Sequence, residues 1–504
     1  MNRLQRSSVN MLSSAAGYVV PMLVNLITIP LLLHTLGEAA FGLQSLVAVI
    51  IGYLTLMDMG LDLPIIKLLA EVRARQDTDA ENYLLSTTLQ LYAIIGLVGM
   101  LGIMLLADWF ARSVFRVPAN LVGQAIMVFR LAGIGFLGSV GMSWGRAVAM
   151  GLQRFDLTYS VSVVLNTAGA LIGLAVVYAG NGVVGYVLTR TIFTTLSGPI
   201  YFFITRRLLS GFRFHPGMNR ATLRRVSSYV GYGIINRITS SLVSRLDQTL
   251  LAVWVGVVAA GIYAVPFMLA NSFGYMIAYM LGFIFPMASE LQSQGQMKRL
   301  RDIFTRSSQF IAALAGLIFI PLFILGNSFL AVWTPSIAAQ ASGVLPLLAL
   351  AGYVGALTAS LPTNVMVGLG KMRQFTIYAT IRAVVLAIFC CIFIRTLGLE
   401  GAGWALLLTC SVDVVYFVIV LHRYLQIAPL QLFHCAYLKP MLLGIGLAGL
   451  AFLMRPLATS WFGLGLVGSV LGLAYVIVGF IIGVFGDTEK RAVMGLLQMV
   501  RKTV

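Results

Sequence analysis

Apolar runs of about 20 residues recur along the whole chain, and no other feature limits its fold as strongly. Each is long enough to cross a hydrocarbon core of roughly 30 Å as a helix. About 14 such runs can be marked: 9–33, 41–66, 83–107, 121–148, 159–179, 183–205, 229–254, 261–286, 308–332, 342–368, 374–396, 401–421, 437–456 and 461–485. With 59% hydrophobic and 10% charged residues in 504, nothing is left over for a soluble domain. The longest polar connection is 206–228. The expected fold is therefore an all-α polytopic membrane protein. The first run is too long for the apolar core of a signal peptide and is expected to stay as the first helix.

The net charge of +18 would fit a nucleic-acid partner if it were spread over one soluble surface. It is not. With the N-terminus inside, most of the 34 Lys and Arg fall on the same side as Arg3 and Arg6, and only Arg112, Arg116, Arg395 and Arg455 fall in connections on the other side. That asymmetry is the positive-inside pattern, so both termini are expected in the cytoplasm, with anionic membrane lipids facing the basic loops. No nucleic acid is needed. Cys390, Cys391, Cys410 and Cys435 lie in or beside spans without metal-ligand spacing and read as small apolar residues. No cofactor is implied.

One span breaks the apolar rule. Within 229–254, Arg237, Ser241, Ser244, Arg245 and Gln248 recur at i, i+4, i+7, i+8 and i+11, one face of a helix, with Asn236 and Asp247 beside them. Three charges near the bilayer centre cost on the order of 8–10 kcal/mol, while each apolar residue returns only about 0.3–0.6 kcal/mol. This face cannot meet lipid and is expected to line a wet, positively charged interior.

Other charges lie inside spans: Arg130, Arg146, Arg190 and Arg382, and the carboxylates Asp58, Asp62 and Asp413. Every intramembrane cation is an arginine. Guanidinium forks grip phosphate oxygens bidentately and never lose their proton, so the set suits a diphosphate. Its members Arg237, Arg245, Arg146, Arg130, Arg190 and Arg382, with Asn236, Ser241 and Gln248, are the candidate substrate-binding residues. Each arginine has a second reading, a buried partner of an aspartate or of backbone carbonyls. Asp58 and Asp62, spaced i, i+4 about Gly60, have two readings: partners of a neighbouring arginine, or carboxylates that take up H⁺ or Na⁺ and drive a change of facing. Asp247 and Asp413 are further candidates for that coupling role.

The chain also matches itself at an offset of 218–219. Gly37 and Gly42 of GEAAFG align with Gly256 and Gly261 of GVVAAG, Glu71 with Glu290, Gly151 and Arg154 with Gly370 and Arg373, and Gly180 and Gly185 with Gly398 and Gly403. A shift of six spans keeps each matched loop on one side, which gives two parallel-repeat six-helix lobes. The expected organisation is an N-lobe at 1–206, a cytoplasmic linker at 207–228, a C-lobe at 229–424, and two extra helices with a basic tail at 425–504.

The loop LGEAAFGLQSL, the helix end LMDMGLDLPIIKLLAE and the echo GVVAAGIYAV, in this six-plus-six-plus-two arrangement, resemble the polysaccharide flippases of the multidrug/oligosaccharidyl-lipid/polysaccharide exporter superfamily. The likeness is to the O-antigen and exopolysaccharide repeat-unit translocases. It implies that a polyprenyl-diphosphate-linked oligosaccharide is turned from the cytoplasmic to the outer leaflet of a bacterial inner membrane, alongside glycosyltransferases and a polymerase. Two alternatives stand beside it. A multidrug or metabolite cation antiporter of the same superfamily calls for an acidic cavity, whereas the arginines here outnumber the intramembrane aspartates. A membrane glycosyltransferase needs a folded outer loop, and 108–120 is too short to make one. No Walker A, H-E-x-x-H or G-x-S-x-G motif is present, so a transporter rather than an enzyme is expected.

Overall fold

The computed structural model describes residues 3–54, 60–152, 154–209, 212–227, 231–282 and 284–484, without the side chains of 3–19, 54, 63, 70, 74, 155–156, 158–159 and 231–237. Every regular element among them is helical. Eleven stretches are long and apolar enough to cross a membrane. Two of these bend at glycines: Gly37 lies at φ 77° within α1 (Arg3–Leu54), and Gly180 and Gly182 lie at 89° and 56° between α5 (Phe155–Val176) and α6 (Gly182–Leu208). Only glycine adopts such backbone angles without strain, so the helix direction changes there. Helix α8 (Gly231–Trp254), the charged one, is not among the eleven. The expected count of fourteen rests on treating each of these as a separate crossing.

Two compact units divide the chain, 1–264 and 265–504. In the first, α3 (Thr78–Trp109) and α4 (Val122–Gly151) pack together, and α4 packs most extensively on α6. Glycines let α4 approach α6 closely. A Cβ on Gly138 would lie 2.5 Å from the Thr195 Cα, and Gly135 and Gly141 lie against Thr191 and Gly198. Helices α1 and α5 pack together, and α8 lies on α1. At one end of the unit the bend in α1, the segment after α3 and the turn into α9 (Val257–Met280) meet. Ala39, Arg116, Pro118, Val255 and Gly256 line a cavity of about 220 Å³ there. Here Gly42 and Gly261, which align at the offset of 219, lie against each other: a Cβ on Gly261 would lie 2.8 Å from the Gly42 Cα.

At the other end, Gly60 at φ 70° interrupts the expected second span. Helix α2 (Asp62–Ala74) begins two residues after Gly60, so Asp62 stands in its first turn. A carboxylate in that position complements the positive helix end. Asp58, the other member of the expected i, i+4 pair, lies outside the described residues.

Among the described residues of the linker, α6 runs on to Leu208 and α7 (Arg220–Ser227) is helical. Before it, the extended segment 212–219 lies along α3, and every second amide donates to an α3 side chain. Arg213 N–H reaches Asn82 Oδ1 (3.0 Å), His215 N–H the Ser86 hydroxyl (3.0 Å), Gly217 N–H Gln90 Oε1 (3.1 Å) and Asn219 N–H the Thr87 hydroxyl (3.2 Å). Gln90 Nε2 returns a bond to the His215 carbonyl at 2.9 Å. Glu71 then ties α2 to α7 through Arg225 at 2.8 Å.

The second unit is held by α11 (Met297–Trp333) against α13 (Val344–Thr358) and α18 (Leu438–Met454), with α15 (Met372–Leu397) on α16 (Leu399–Ile419). Phe304, Phe319 and Leu361 are among its core, and Tyr378 and Tyr416 stack at 3.8 Å. From the last helix, α19 (Trp461–Ile482), the Tyr475 hydroxyl donates to the Ala313 carbonyl at 2.7 Å.

Candidate functional site

Helix α8 turns its polar line into the protein. Ser241 and Gln248 are buried and Ser244 and Arg245 half-buried, while Ile238, at the border of the line, is exposed. Gln248 Nε2 donates to the Ala260 carbonyl of α9 at 3.4 Å. Asn236 and Arg237 have side chains outside the described residues. Asp247 is 0% exposed, and both its oxygens are occupied: Oδ2 accepts from the Tyr263 hydroxyl at 2.5 Å and Oδ1 from the Gln248 amide at 2.8 Å. It faces α9.

Arg245 is half-buried and points elsewhere. Its guanidinium lies against Gly52 of α1, where a Cβ would stand 2.8 Å from Nε and 3.3 Å from Cζ. One turn on, the Tyr53 hydroxyl meets Thr249 Oγ1 at 3.0 Å, and Thr249 Oγ1 donates to the Arg245 carbonyl at 2.8 Å. Gly52 carries no signal in the sequence, being one of 51 glycines, and was not among the expected site residues.

Arg190 Nη1 donates to the Asn166 carbonyl at 2.9 Å. With Thr194, Ser197 and Tyr201 it makes a second polar line, spaced i, i+4, i+7, i+11 like the one on α8. Ser197 and Tyr201 are buried, and the Tyr201 hydroxyl meets the Ser162 hydroxyl at 3.4 Å. Gly135 faces both Ile51 and Thr191, so Arg190 and Arg245 share one layer of the unit. Arg146 lies eleven residues beyond Gly135, roughly 16 Å along α4, and is exposed within electrostatic reach of Tyr201. Arg130 is also exposed, but on α4 it falls between the faces packed on α3 and on α6. About 24 Å along the helix separate it from Arg146, so the two cannot hold one phosphate group.

Among the described residues, no carboxylate lies within ion-pair distance of Arg130, Arg146, Arg190 or Arg245. The second unit differs. Arg382 Nε meets Asp413 Oδ1 at 2.8 Å, and the Tyr378 hydroxyl donates to the same oxygen at 2.7 Å. Asp413 is 0% exposed. Arg382 and Asp413 neutralise each other, which is the partnered reading of both residues. Among the described residues, the intramembrane arginines without an ion-pair partner thus lie in the first unit, and an arginine paired with a buried aspartate in the second.

Residues 8–292 match the family described as "Polysaccharide biosynthesis protein". A curated relative, the probable flippase AglR of Haloferax volcanii, is 23% identical over 325 residues. That match covers 63% of this chain and 63% of the relative, so the chain spans under two thirds of the relative's length. The fold is similar to that of the lipid II flippase MurJ in an inward closed conformation, with TM-score 0.71 at 11% identity over 93% of this chain and 98% of that one. It is also similar to an inward-facing multidrug resistance MATE family transporter of the MOP superfamily, with TM-score 0.65 at 16% identity over 83% and 98%. At these identities the likeness speaks for the fold.

Proposed function

The chain belongs to the polysaccharide biosynthesis protein family, and on that premise we propose that it is a flippase for polyprenyl-diphosphate-linked oligosaccharide in a bacterial inner membrane. One observation carries the reading. Among the described residues, Arg130, Arg146, Arg190 and Arg245 of the first unit have no carboxylate within ion-pair distance, and an intramembrane cation so placed is suited to an anionic ligand. A diphosphate brings the two negative charges that such a lining lacks.

In this mechanism both termini are cytoplasmic, and the headgroup enters from that side. Arg146 and Arg237 meet it first. Arg245 and Arg190 hold it in the deeper layer, with Ser241 and Gln248 beside them. The polyprenyl tail stays in lipid while the sugars occupy the wet interior, and the protein alternates between inward and outward access. Resetting of the empty carrier falls to a cation, H⁺ or Na⁺. Asp247 is the carboxylate we place in that role, because it lies two residues from Arg245 and bridges α8 to α9 through Tyr263. Polymerase and glycosyltransferases act before and after the translocation.

Purified protein in liposomes tests the substrate class. A fluorescent oligosaccharide on a short polyprenyl diphosphate should cross at least about tenfold faster than in protein-free vesicles, and the same sugar on an uncharged polyprenol should not. Equal rates for both lipids, or transport of a lipophilic cation in place of either, would remove the diphosphate from the reading.

A further inference from the structure

We infer that Gly52 is a positioning residue for the anion site, the seat against which the Arg245 guanidinium is held; this rests on the reading that Arg245 binds the phosphate of the substrate. Glycine in a helix interior costs about 1 kcal/mol relative to alanine, so a helical glycine calls for a reason. Gly52 is not among the glycines at positive φ, so the reason is space rather than backbone freedom. The space is specific. At Gly138 the three nearest atoms that a Cβ would meet are backbone atoms of the facing helix, and at Gly99 and Gly145 they belong to the aromatic side chains of Phe136 and Tyr201, both of them close helix packing. At Gly52 all three nearest atoms belong to the Arg245 side chain: Nε at 2.8 Å, Cζ at 3.3 Å and Cδ at 3.4 Å. A methyl group there would push the head of the arginine away by several tenths of an ångström or more.

The surroundings fix the seat. Tyr53 and Thr249 join α1 to α8 one turn beyond, with Thr249 bonded back to the Arg245 carbonyl, so the two helices cannot slide to relieve a clash without losing that contact. Asp247, the nearest carboxylate along the helix, is held by Tyr263 and by the Gln248 amide and does not draw the guanidinium away. The arginine is therefore placed by packing against bare backbone and keeps its charge for a ligand. A displacement of about 1 Å in such a group is enough to lose much of its contribution to binding.

A double-mutant cycle tests this. Gly52→Ala, Arg245→Ala and the pair together are purified in detergent, and binding of farnesyl diphosphate is measured beside farnesol. Gly52→Ala should weaken diphosphate binding about tenfold and leave farnesol unchanged, and Arg245→Ala should weaken it further. The double variant should match Arg245→Ala alone within about twofold, because Gly52 acts only through that side chain. Native-like binding by Gly52→Ala, or losses that multiply in the double variant, would overturn the inference. Should Gly52→Ala alone fail to accumulate, adding Arg245→Ala must restore accumulation, since it removes the obstructed group; no restoration also overturns it. Native-like binding by Arg245→Ala is a different failure and removes the phosphate reading itself.

Discussion

Arg382→Ala is expected to strip most of the folded protein from the membrane. Asp413 is fully buried, and its Oδ1 takes both the Arg382 guanidinium at 2.8 Å and the Tyr378 hydroxyl at 2.7 Å. Removing the cation leaves an uncompensated charge in the interior, at a cost of about 3–5 kcal/mol. Total stabilities are only about 5–15 kcal/mol, so the loss is a large share of the whole. Adding Asp413→Asn should restore the yield, because the neutral amide needs no counterion. Asp413→Asn alone should be milder, since the Arg382 side chain keeps 22% exposure and its head can be hydrated. The monodisperse fraction after detergent extraction measures all three. Normal yield from Arg382→Ala with transport abolished would move the residue from the structural pair into the site.

Arg245→Glu and Arg146→Glu are the counterpart, expected to leave yield near normal and to abolish export. Each reversal turns an attraction for a phosphate into a repulsion. At about 4 Å and an effective dielectric of about 20, one unit-charge pair amounts to about 4 kcal/mol, so a fall of about 100-fold or more in surface glycan is the expected scale. Arg130→Glu should fall by less than about threefold, because that residue projects between the α3 and α6 packing faces and far along α4 from Arg146. Surface glycan in a deletion strain carrying each variant is the measurement. Normal glycan from Arg245→Glu would place the headgroup somewhere else.

The class of fold was legible because its signal is repeated many times and needs no tertiary information: apolar runs of spanning length, one after another along the chain. The polar line on α8 was legible for the same reason, since i, i+4, i+7 spacing is a property of the helix alone, and Ser241 and Gln248 are indeed turned inward. Partners were not legible. Arg382 and Asp413 are 31 residues apart, Asp247 and Tyr263 16 apart, and only the packing of α15 on α16 and of α8 on α9 decides which cation is neutralised. Counting six arginines against four aspartates gave the sign of the excess but not its address. The positive φ at Gly60, between Asp58 and Asp62, was not legible either, because nothing local marks one glycine among many as a bend. The alignment of Gly42 with Gly261 marked a repeat; that the two copies lie against each other is a fact of the folded chain alone.

The way α3 grips 212–219 has a consequence for how this region evolves. Its four amides, at 213, 215, 217 and 219, are recognised by Asn82, Ser86, Gln90 and Thr87, and none of those contacts consults the identity of the residue that supplies the N–H. Spelling is thus looser than metre in this stretch, although Gly217, at φ 105°, and Asn219, whose Oδ1 accepts from the Thr222 N–H at 3.0 Å, are held by their own chemistry. Proline has no amide to offer at those four places, and adding or deleting one residue would shift every amide beyond it out of step with its partner. Related chains aligned here would keep the length, the glycine and the asparagine before they kept the other letters.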